Sequence, residues 1–345
     1  MTSLPVRRVT GYDLARDLKL SQSTVSRALR DDPRVVPATR ELVKARAAEL
    51  GYVVHVGARN LITQRTHTIA VISGDLHNPS TPTLVTALQR EFSAHGYRVV
   101  LMSDQTEGAH SRDVEALHGG AVDGVVFNSM RPDLELVAAL RARGLPVVLL
   151  ARDHADAQTR RTDRVTSDNR AGGRLVARHL LGIGHRRIAL VGGPRDNASS
   201  RDREQGFREE LAAAGVALPR SLFTHGPVDP ATGHAAMRGF LTHRHVPTAV
   251  FCITDWIALG ALDAAHGAGL RVPADLHVVG YNDSLFAGWS MFDLTTVRQP
   301  FDEMGAEAAR LLVARLGDPQ APVVHRQFPA ELLVRSSTSG PVPAR

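Results

Sequence analysis

Two hydrophobic rhythms divide the chain near residue 66. In the first stretch apolar residues recur at helical spacing in short segments. Leu14, Ala15 and Leu18 share one face after Thr10, and Val25, Ala28 and Leu29 repeat that face after Ser21. Thr10 followed by Asp13 is a helix-start signal, a hydroxyl cap with a carboxylate at N3, and Ser21 is a second cap. Lys19-Leu20 leaves only a brief turn between the two segments, so the spacing predicts a helix-turn-helix. Ala15 is small where the helices would cross. A third helix is predicted over 37–50, with Pro37 in its first turn and Gly51 just past its end. Its expected inward stripe is Leu42, Val43, Arg46 and Leu50.

From Thr68 onward, short apolar β-branched runs alternate with helix-length segments. Strands are predicted at 69–72, 98–101, 124–127, 146–150, 188–191, 249–252 and 278–281. Nearly continuous apolar strands between helices imply parallel sheets covered on both faces. So many units exceed one small sheet, and two doubly wound lobes are expected. The fold class is therefore an N-terminal all-α helix-turn-helix head plus an α/β two-lobed core with doubly wound parallel sheets. The expected division is a flexible arm over 1–8, the head over 9–52, a linker over 53–66, the core over 67–340 and a tail over 341–345. The first lobe takes about 67–160 and 295–322, and the second about 161–294 and 323–340. Residues 153–164 read as a crossing loop, and the segment 294–300 should cross back. The segment 304–316 should then pack on the first lobe as a helix, and 332–334 returns to the second.

Charge changes the picture of the head. The chain of 345 residues carries a formal net charge of +6. Residues 1–65 hold twelve Lys or Arg against six Asp or Glu, and the remainder is balanced. The whole basic excess lies on the segment with the helix-turn-helix, which is the placement that phosphate attraction requires of a DNA-binding head. The outward face of the second helix offers Gln22, Ser23, Ser26 and Arg27, all hydrogen-bonding and none acidic. Arg can read guanine, Gln can read adenine, and Ser can reach bases or phosphates. The single cysteine, Cys252, sits in an apolar run and reads as a buried small hydrophobe. One cysteine allows no internal disulfide. With no apolar leader and no run of membrane-spanning length, this points to a cytoplasmic protein with no membrane partner.

Residues 9–65 resemble the DNA-binding head of the lactose-repressor (LacI) family of bacterial regulators. The run Ser21-Gln22-Ser23-Thr24-Val25-Ser26-Arg27-Ala28-Leu29 matches the family's recognition helix. Pro37-Ala38-Thr39-Arg40 and Glu49-Leu50-Gly51-Tyr52 match the start and end of its third helix. The resemblance implies DNA contacts from Thr10, Tyr12, Ser21, Gln22, Ser23, Thr24, Ser26 and Arg27. It also implies a hinge helix in the linker, with Arg59 at the DNA and Leu61 as the leucine wedged into the minor groove. Val54-His55 stands where the family usually has Pro-Asn. Farther on, Asp168-Asn169-Arg170-Ala171-Gly172-Gly173, Arg203-Glu204-Gln205-Gly206-Phe207, Ala258-Leu259-Gly260-Ala261 and Thr295-Thr296-Val297-Arg298-Gln299-Pro300 match the family's periplasmic-binding-protein-like core. The resemblance covers roughly 9–338.

Open α/β sheets bind ligands beyond the carboxyl ends of their strands. Asp75, Asn128, Arg152, Thr254 and Asp283 follow predicted strands, and Arg203 opens a helix after one. These carboxylate, amide, hydroxyl and guanidinium groups could satisfy a polyol. The family's effector-contacting positions fall on the same residues, with Asn282 beside Asp283. Several departures alter the pocket. Thr254 stands where Asn is common, Ala151 where an acid commonly precedes Arg152, and Asn282 replaces an acid. Ser80-Thr81 replaces an aromatic pair, and Trp256 is the candidate for the missing apolar wall. No phosphate-binding glycine loop, nucleophile elbow or zinc spacing is present, so neither an enzyme nor a cofactor is expected. The resemblance implies a transcription regulator, a repressor, acting as a homodimer on double-stranded operator DNA under a carbohydrate-like effector. The sequence carries no appended heptad helix for a tetramer.

Overall fold

The structure, a computed structural model, describes residues 9–52, 65–74, 76–103, 117, 120–128, 134–151, 160–244 and 246–340. The chain folds as two compact units, residues 1–66 and 67–345.

The first unit contains α1 (Gly11–Asp17), α2 (Gln22–Ala28) and α3 (Pro37–Glu49). Thr10 and Asp13 close the reciprocal cap, with each side chain bonded to the other residue's amide at 3.2 and 3.0 Å. Ser21 caps α2 through the Thr24 amide at 3.1 Å. Leu14, Ala15, Val25, Ala28, Val43 and Ala47 form the small core, and Leu18, Leu29 and Leu50 pack against it. Leu42 departs from the expected stripe. It is 56% exposed, and Ala47 takes the inward position one turn on from Val43. Gly51 ends α3 at a φ of 62°, a left-handed conformation glycine adopts without a Cβ penalty.

The second unit opens with β1 (Thr68–Ser73), α4 (Ser80–Ala94), β2 (Arg98–Ser103), β3 (Gly124–Asn128), α5 (Leu134–Ala142), β4 (Val147–Leu150) and β5 (Asp163–Ser167). It continues through α6 (Asn169–Gly182), β6 (Ile188–Gly192), α7 (Ala198–Ala213), β7 (Phe223–His225) and α8 (Pro230–Leu241). Then follow β8 (Ala249–Cys252), α9 (Asp255–Gly267), β9 (His277–Val279), β10 (Thr296–Arg298), α10 (Phe301–Gly317), β11 (His325–Phe328) and β12 (Glu331–Leu333). One sheet runs β11-β5-β4-β3-β1-β2 and the other β7-β6-β8-β9, and every pairing within them is parallel. Antiparallel β10 and β12 form a separate ribbon.

Two expected boundaries move. The stretch 163–167, placed in a crossing loop and the second lobe, is a strand of the first sheet, as is 325–328. The reason is a buried ion pair. Asp163 receives Arg315 of α10 at 3.0 and 2.9 Å and the Val324 amide at 2.8 Å, so a polar strand can enter the sheet. The outer strand β2 also differs from a strand covered on both faces: Val100 and Leu101 are exposed.

Side-chain caps start all four long helices of the second lobe. Asp168, Asn197, Asp229 and Thr254 each accept the amide three residues on. The helices then pair at glycines, α6 on α7 and α8 on α9, so closely that a Cβ at Gly206 would lie 1.9 Å from the Arg170 carbonyl oxygen.

A buried histidine pair ties β9 to the end of α6. Thr248 donates its hydroxyl to the Arg187 carbonyl at 3.2 Å, so His185 Nδ1–H must donate to Thr248 Oγ1 at 2.8 Å. His185 Nε2 then accepts from His277 Nδ1–H, also at 2.8 Å. This network leaves His277 Nε2 as a bare, buried acceptor. Burial pushes the His185 pKa down to about 4, and that of His277 down as well, with His179 adding to both effects. The folded state binds fewer protons than the unfolded state between about pH 6.5 and 4. Stability from the pair is therefore complete above pH 6.5 and lost as pH falls towards 4. Thermal unfolding from pH 7.5 to 4.5 should show a shallower acid decline in a His185→Gln variant than in the parent chain; equal slopes would contradict the proton count.

Candidate functional site

In the head, four acidic residues are held by basic partners. Asp17 holds Arg46 at 2.6 Å, Asp31 holds Lys44 at 2.6 Å, Asp32 holds Arg34 at 2.6 Å, and Glu49 holds Arg46 at 2.7 Å. The Lys44 and Arg46 partners hold the Asp31 and Asp17 carboxyls below their usual range. These exposed pairs add little stability, but they leave Arg27 exposed with no ion-pair partner among the described residues. Gln22 and Ser23 are exposed beside it, and Ser26 is half-buried. Tyr12 is 71% exposed, an aromatic ring with no protein surface over most of it. Thr10, Ser21 and Thr24 are occupied with caps: Ser21 Oγ lies 2.7 Å from Thr24 Oγ1 and 2.9 Å from Ser23 Oγ. Arg59 and Leu61 lie outside the described residues.

The second unit holds a cavity of about 80 Å³ at the carboxyl ends of both parallel sheets. From the first lobe come Gly74 and Ala151 after their strands, Asn128 at the end of β3, Asn78, Ser80, Thr81 and Leu84 around the start of α4, and Gln299 with Phe301 before and within α10. The second lobe contributes Asn197, Ser199, Ser200 and Arg203 from the start of α7, Thr254 at the cap of α9, and Val228 and Asn282. Contacts cross the cleft. Ser80 Oγ lies 3.3 Å from Ser284 Oγ, and Ser199 Oγ donates to the Ala151 carbonyl at 3.2 Å.

Arg203 is 6% exposed. Its Nε donates to Asn169 Oδ1 and its Nη1 to the Ile253 carbonyl, both at 2.8 Å. Its guanidinium lies 3.8 Å above the Tyr281 ring. Burial lowers the Arg203 pKa and pushes the Tyr281 hydroxyl up to about 12. The guanidinium is bonded only to neutral acceptors. Gln299 Nε2 donates to Asn282 Oδ1 at 2.7 Å. Beneath this floor, fully buried Asp255 accepts the Thr296 hydroxyl and the Ser284 amide, each at 2.6 Å, and burial raises its pKa. Asp255 thereby fixes the loop carrying Asn282 to the crossing strand.

Asn128, Arg203, Thr254 and Asn282 are thus brought together. Asp283 is not. At a φ of 54°, it turns to Arg335 at 2.6 Å and Arg298 at 2.8 Å, clamping two crossing segments that are distant in sequence. Trp256 is also absent from the cavity wall; its ring centroid lies 6.4 Å from that of Phe286. Phe301, with Leu84 and Val228, provides the apolar surface instead. Asp75 and Arg152 lie outside the described residues. Sequence reasoning placed Ser80-Thr81 at the pocket only as a lost aromatic pair, and it missed Ser199, Ser200, Gln299 and Phe301. The available signal was that helix starts after β1 and β6, and the segment re-entering the first lobe, must open on the same cleft as the strand ends.

A helix-turn-helix head and a two-lobed, periplasmic-binding-protein-like core on one chain define the class, a transcription regulator. The pattern of the lacI family of bacterial regulatory proteins matches residues 10–54, and that of the periplasmic binding protein-like domain matches 177–338. The chain is 36% identical over 336 residues to the HTH-type transcriptional regulator CelR of Thermobifida fusca, covering 96% of this chain and 98% of that protein. A solved CelR–cellobiose complex matches with a TM-score of 0.74 and 35% identity, covering 96% of this chain and all of the other. The lac repressor dimer bound to operator and the anti-inducer ONPF matches with a TM-score of 0.86 and 29% identity, covering 97% of this chain and 100% of that one. The chain belongs to the LacI family. Among the described residues, no helix is long and apolar enough to cross a membrane.

Proposed function

We propose that the chain is a ligand-responsive repressor that binds a pseudo-palindromic operator as a homodimer, with its affinity set by a small carbohydrate-like effector in the cleft. The observation that carries the effector reading is the composition of the cavity wall. Amides of Asn78, Asn128, Asn197, Asn282 and Gln299 and hydroxyls of Ser80, Ser199, Ser200 and Thr254 surround one buried guanidinium, with Phe301 as apolar surface. Both donors and acceptors are present in number, which suits the hydroxyls of a neutral polyol. The cellobiose complex of the similar CelR supports a saccharide as the class of ligand.

The exposed Arg27, without an ion-pair partner among the described residues, and its polar neighbours support the DNA reading. Two such helices in a dimer would enter successive major grooves about 34–36 Å apart. An apolar groove between α8, α9 and the loop ending at Phe292 suits a second copy of the chain. Leu259, Leu262, Leu270 and Val272 line it, with Met291 exposed at its rim. Arg27→Ala should weaken specific operator binding roughly 10- to 100-fold, the scale of one bidentate base contact, and leave effector affinity unchanged. Fluorescence anisotropy on operator DNA at fixed salt measures the first, and calorimetry the second. Unchanged operator affinity would remove α2 from the role of reading helix.

A further inference from the structure

At the other end of the first sheet, where β4 and β5 begin, three arginines converge on a second cavity of about 200 Å³. Arg141 comes from the last turn of α5, Arg161 from the residues just before β5, and Arg315 from the last turn of α10. Arg315 is fully engaged. It grips both oxygens of Asp163 and donates through Nη1 to the carbonyls of Pro319 and Ala321 and through Nη2 to that of Pro322. Asp163 is only 3% exposed and also accepts the Val324 amide. Neither Arg141 nor Arg161 has a hydrogen-bond or ion-pair partner among the described residues. One carboxylate, already bonded on both oxygens, thus faces three guanidiniums. Arg141 is half-buried and Arg161 exposed; desolvation together with repulsion from Arg161 and Arg315 lowers the Arg141 pKa, against the weaker attraction of Asp163.

Complementing a helix dipole would explain Arg141 or Arg315 singly, since both lie in last turns. It does not explain why Arg161, which is on neither helix, shares a concave wall with them while two of the three lack a hydrogen-bonded or ion-pair partner among the described residues. Like charges gathered in a partly desolvated recess are costly, and an anion in the recess reverses the sign of that cost. We propose that this cavity binds a phosphate group, carried by inorganic phosphate or a small phosphate monoester, between Arg141 and Arg161. Planar guanidinium forks match tetrahedral oxyanions in geometry and charge, and Gln320 on the same wall offers a neutral donor.

The test is thermal unfolding of the full chain in phosphate against chloride at constant ionic strength, repeated with glycerol 3-phosphate. Phosphate should raise the midpoint by several degrees over chloride. Arg141→Gln and Arg161→Gln should each raise the phosphate concentration giving half of that shift at least tenfold. In chloride, Arg141→Gln should unfold at the parent temperature or above it, because it loses a repelled and partly desolvated charge. A lowered midpoint there would mark Arg141 as merely structural and count against the site. An equal effect of phosphate and chloride would overturn it, as would a phosphate shift that survives in the double variant. Half-saturation at lower glycerol 3-phosphate than inorganic phosphate would support the site and assign it to a phosphorylated metabolite; the reverse order would support it for the free ion.

Discussion

Arg203→Ala is expected to lower effector affinity at least 100-fold while operator affinity without effector stays within about twofold. Arg203 reaches the cavity from a fixed position. Two of its N–H groups are anchored to Asn169 Oδ1 and the Ile253 carbonyl, and its plane rests on Tyr281. Hydrogen bonds to a charged donor contribute about 1.5–3 kcal/mol each, so losing two at the ligand accounts for a change of that size. The anchors also leave the fork little side-chain freedom to lose on binding. Truncation strips Asn169 and Ile253 of their donors as well, so some stability should be lost. Arg203→Lys separates the effects, because it keeps the charge but not the fork and should retain only part of the affinity. Calorimetry with the effector, alongside anisotropy on operator DNA, checks both. Parent-like effector affinity in Arg203→Ala would place the ligand elsewhere.

Gly260→Ala should be among the most damaging single-methyl changes in the second lobe. A Cβ at Gly260 would lie 1.7 Å from the Pro230 carbonyl oxygen, and its counterpart on α8, Gly233, would meet the Ile257 carbonyl at 1.9 Å. The obstacle is helix backbone, which cannot rotate aside as a side chain can. The α8–α9 pair must separate, and Ile257, Ala258 and Ala261 lose contact with the lobe core they help to form. Overpacking costs typically 1–3 kcal/mol and occasionally more. At the upper end, about 3 kcal/mol, the midpoint of thermal unfolding should fall by roughly 6–12 °C. Gly267→Ala at the end of the same helix is the control: no atom lies within 4 Å of the added methyl, and helix propensity favours alanine. A Gly260→Ala midpoint within a degree of the Gly267→Ala midpoint would contradict the close crossing.

These glycines show what was legible in the sequence and what was not. Ala258-Leu259-Gly260-Ala261 stood out as a motif, but only the helix crossing gives its reason. The head was readable because its signals are local: Thr10 with Asp13, Ser21, Pro37 and Gly51 each act within four residues. Leu42 was misplaced because a two-turn stripe can be drawn through either side of Val43. The apolar strands announced themselves, whereas β5 did not, because Asp163 is made burial-compatible by Arg315, 152 residues away. The cavity was partly legible for the same reason. Strand-end residues such as Asn128 and Thr254 follow from topology. Asp283 carries the right chemistry, but Arg298 and Arg335 claim it, and neither pairing is visible along the chain. Phe301, not Trp256, faces the ligand space because the crossing segment brings the start of α10 back to the cleft.

The central claim is that a ligand in the cleft and DNA on the head are coupled. Coupling is reciprocal, so an effector that changes operator affinity by some factor must have its own affinity changed by the same factor when operator is bound. The most direct test is anisotropy of the purified chain on DNA from upstream of its own coding sequence, at fixed salt, titrated with a panel of mono- and disaccharides. The account predicts tight binding that one saccharide shifts at least fivefold, with the shift absent in Arg203→Ala. Tight binding that no saccharide alters, and that Arg203→Ala leaves unchanged under every compound, would contradict it.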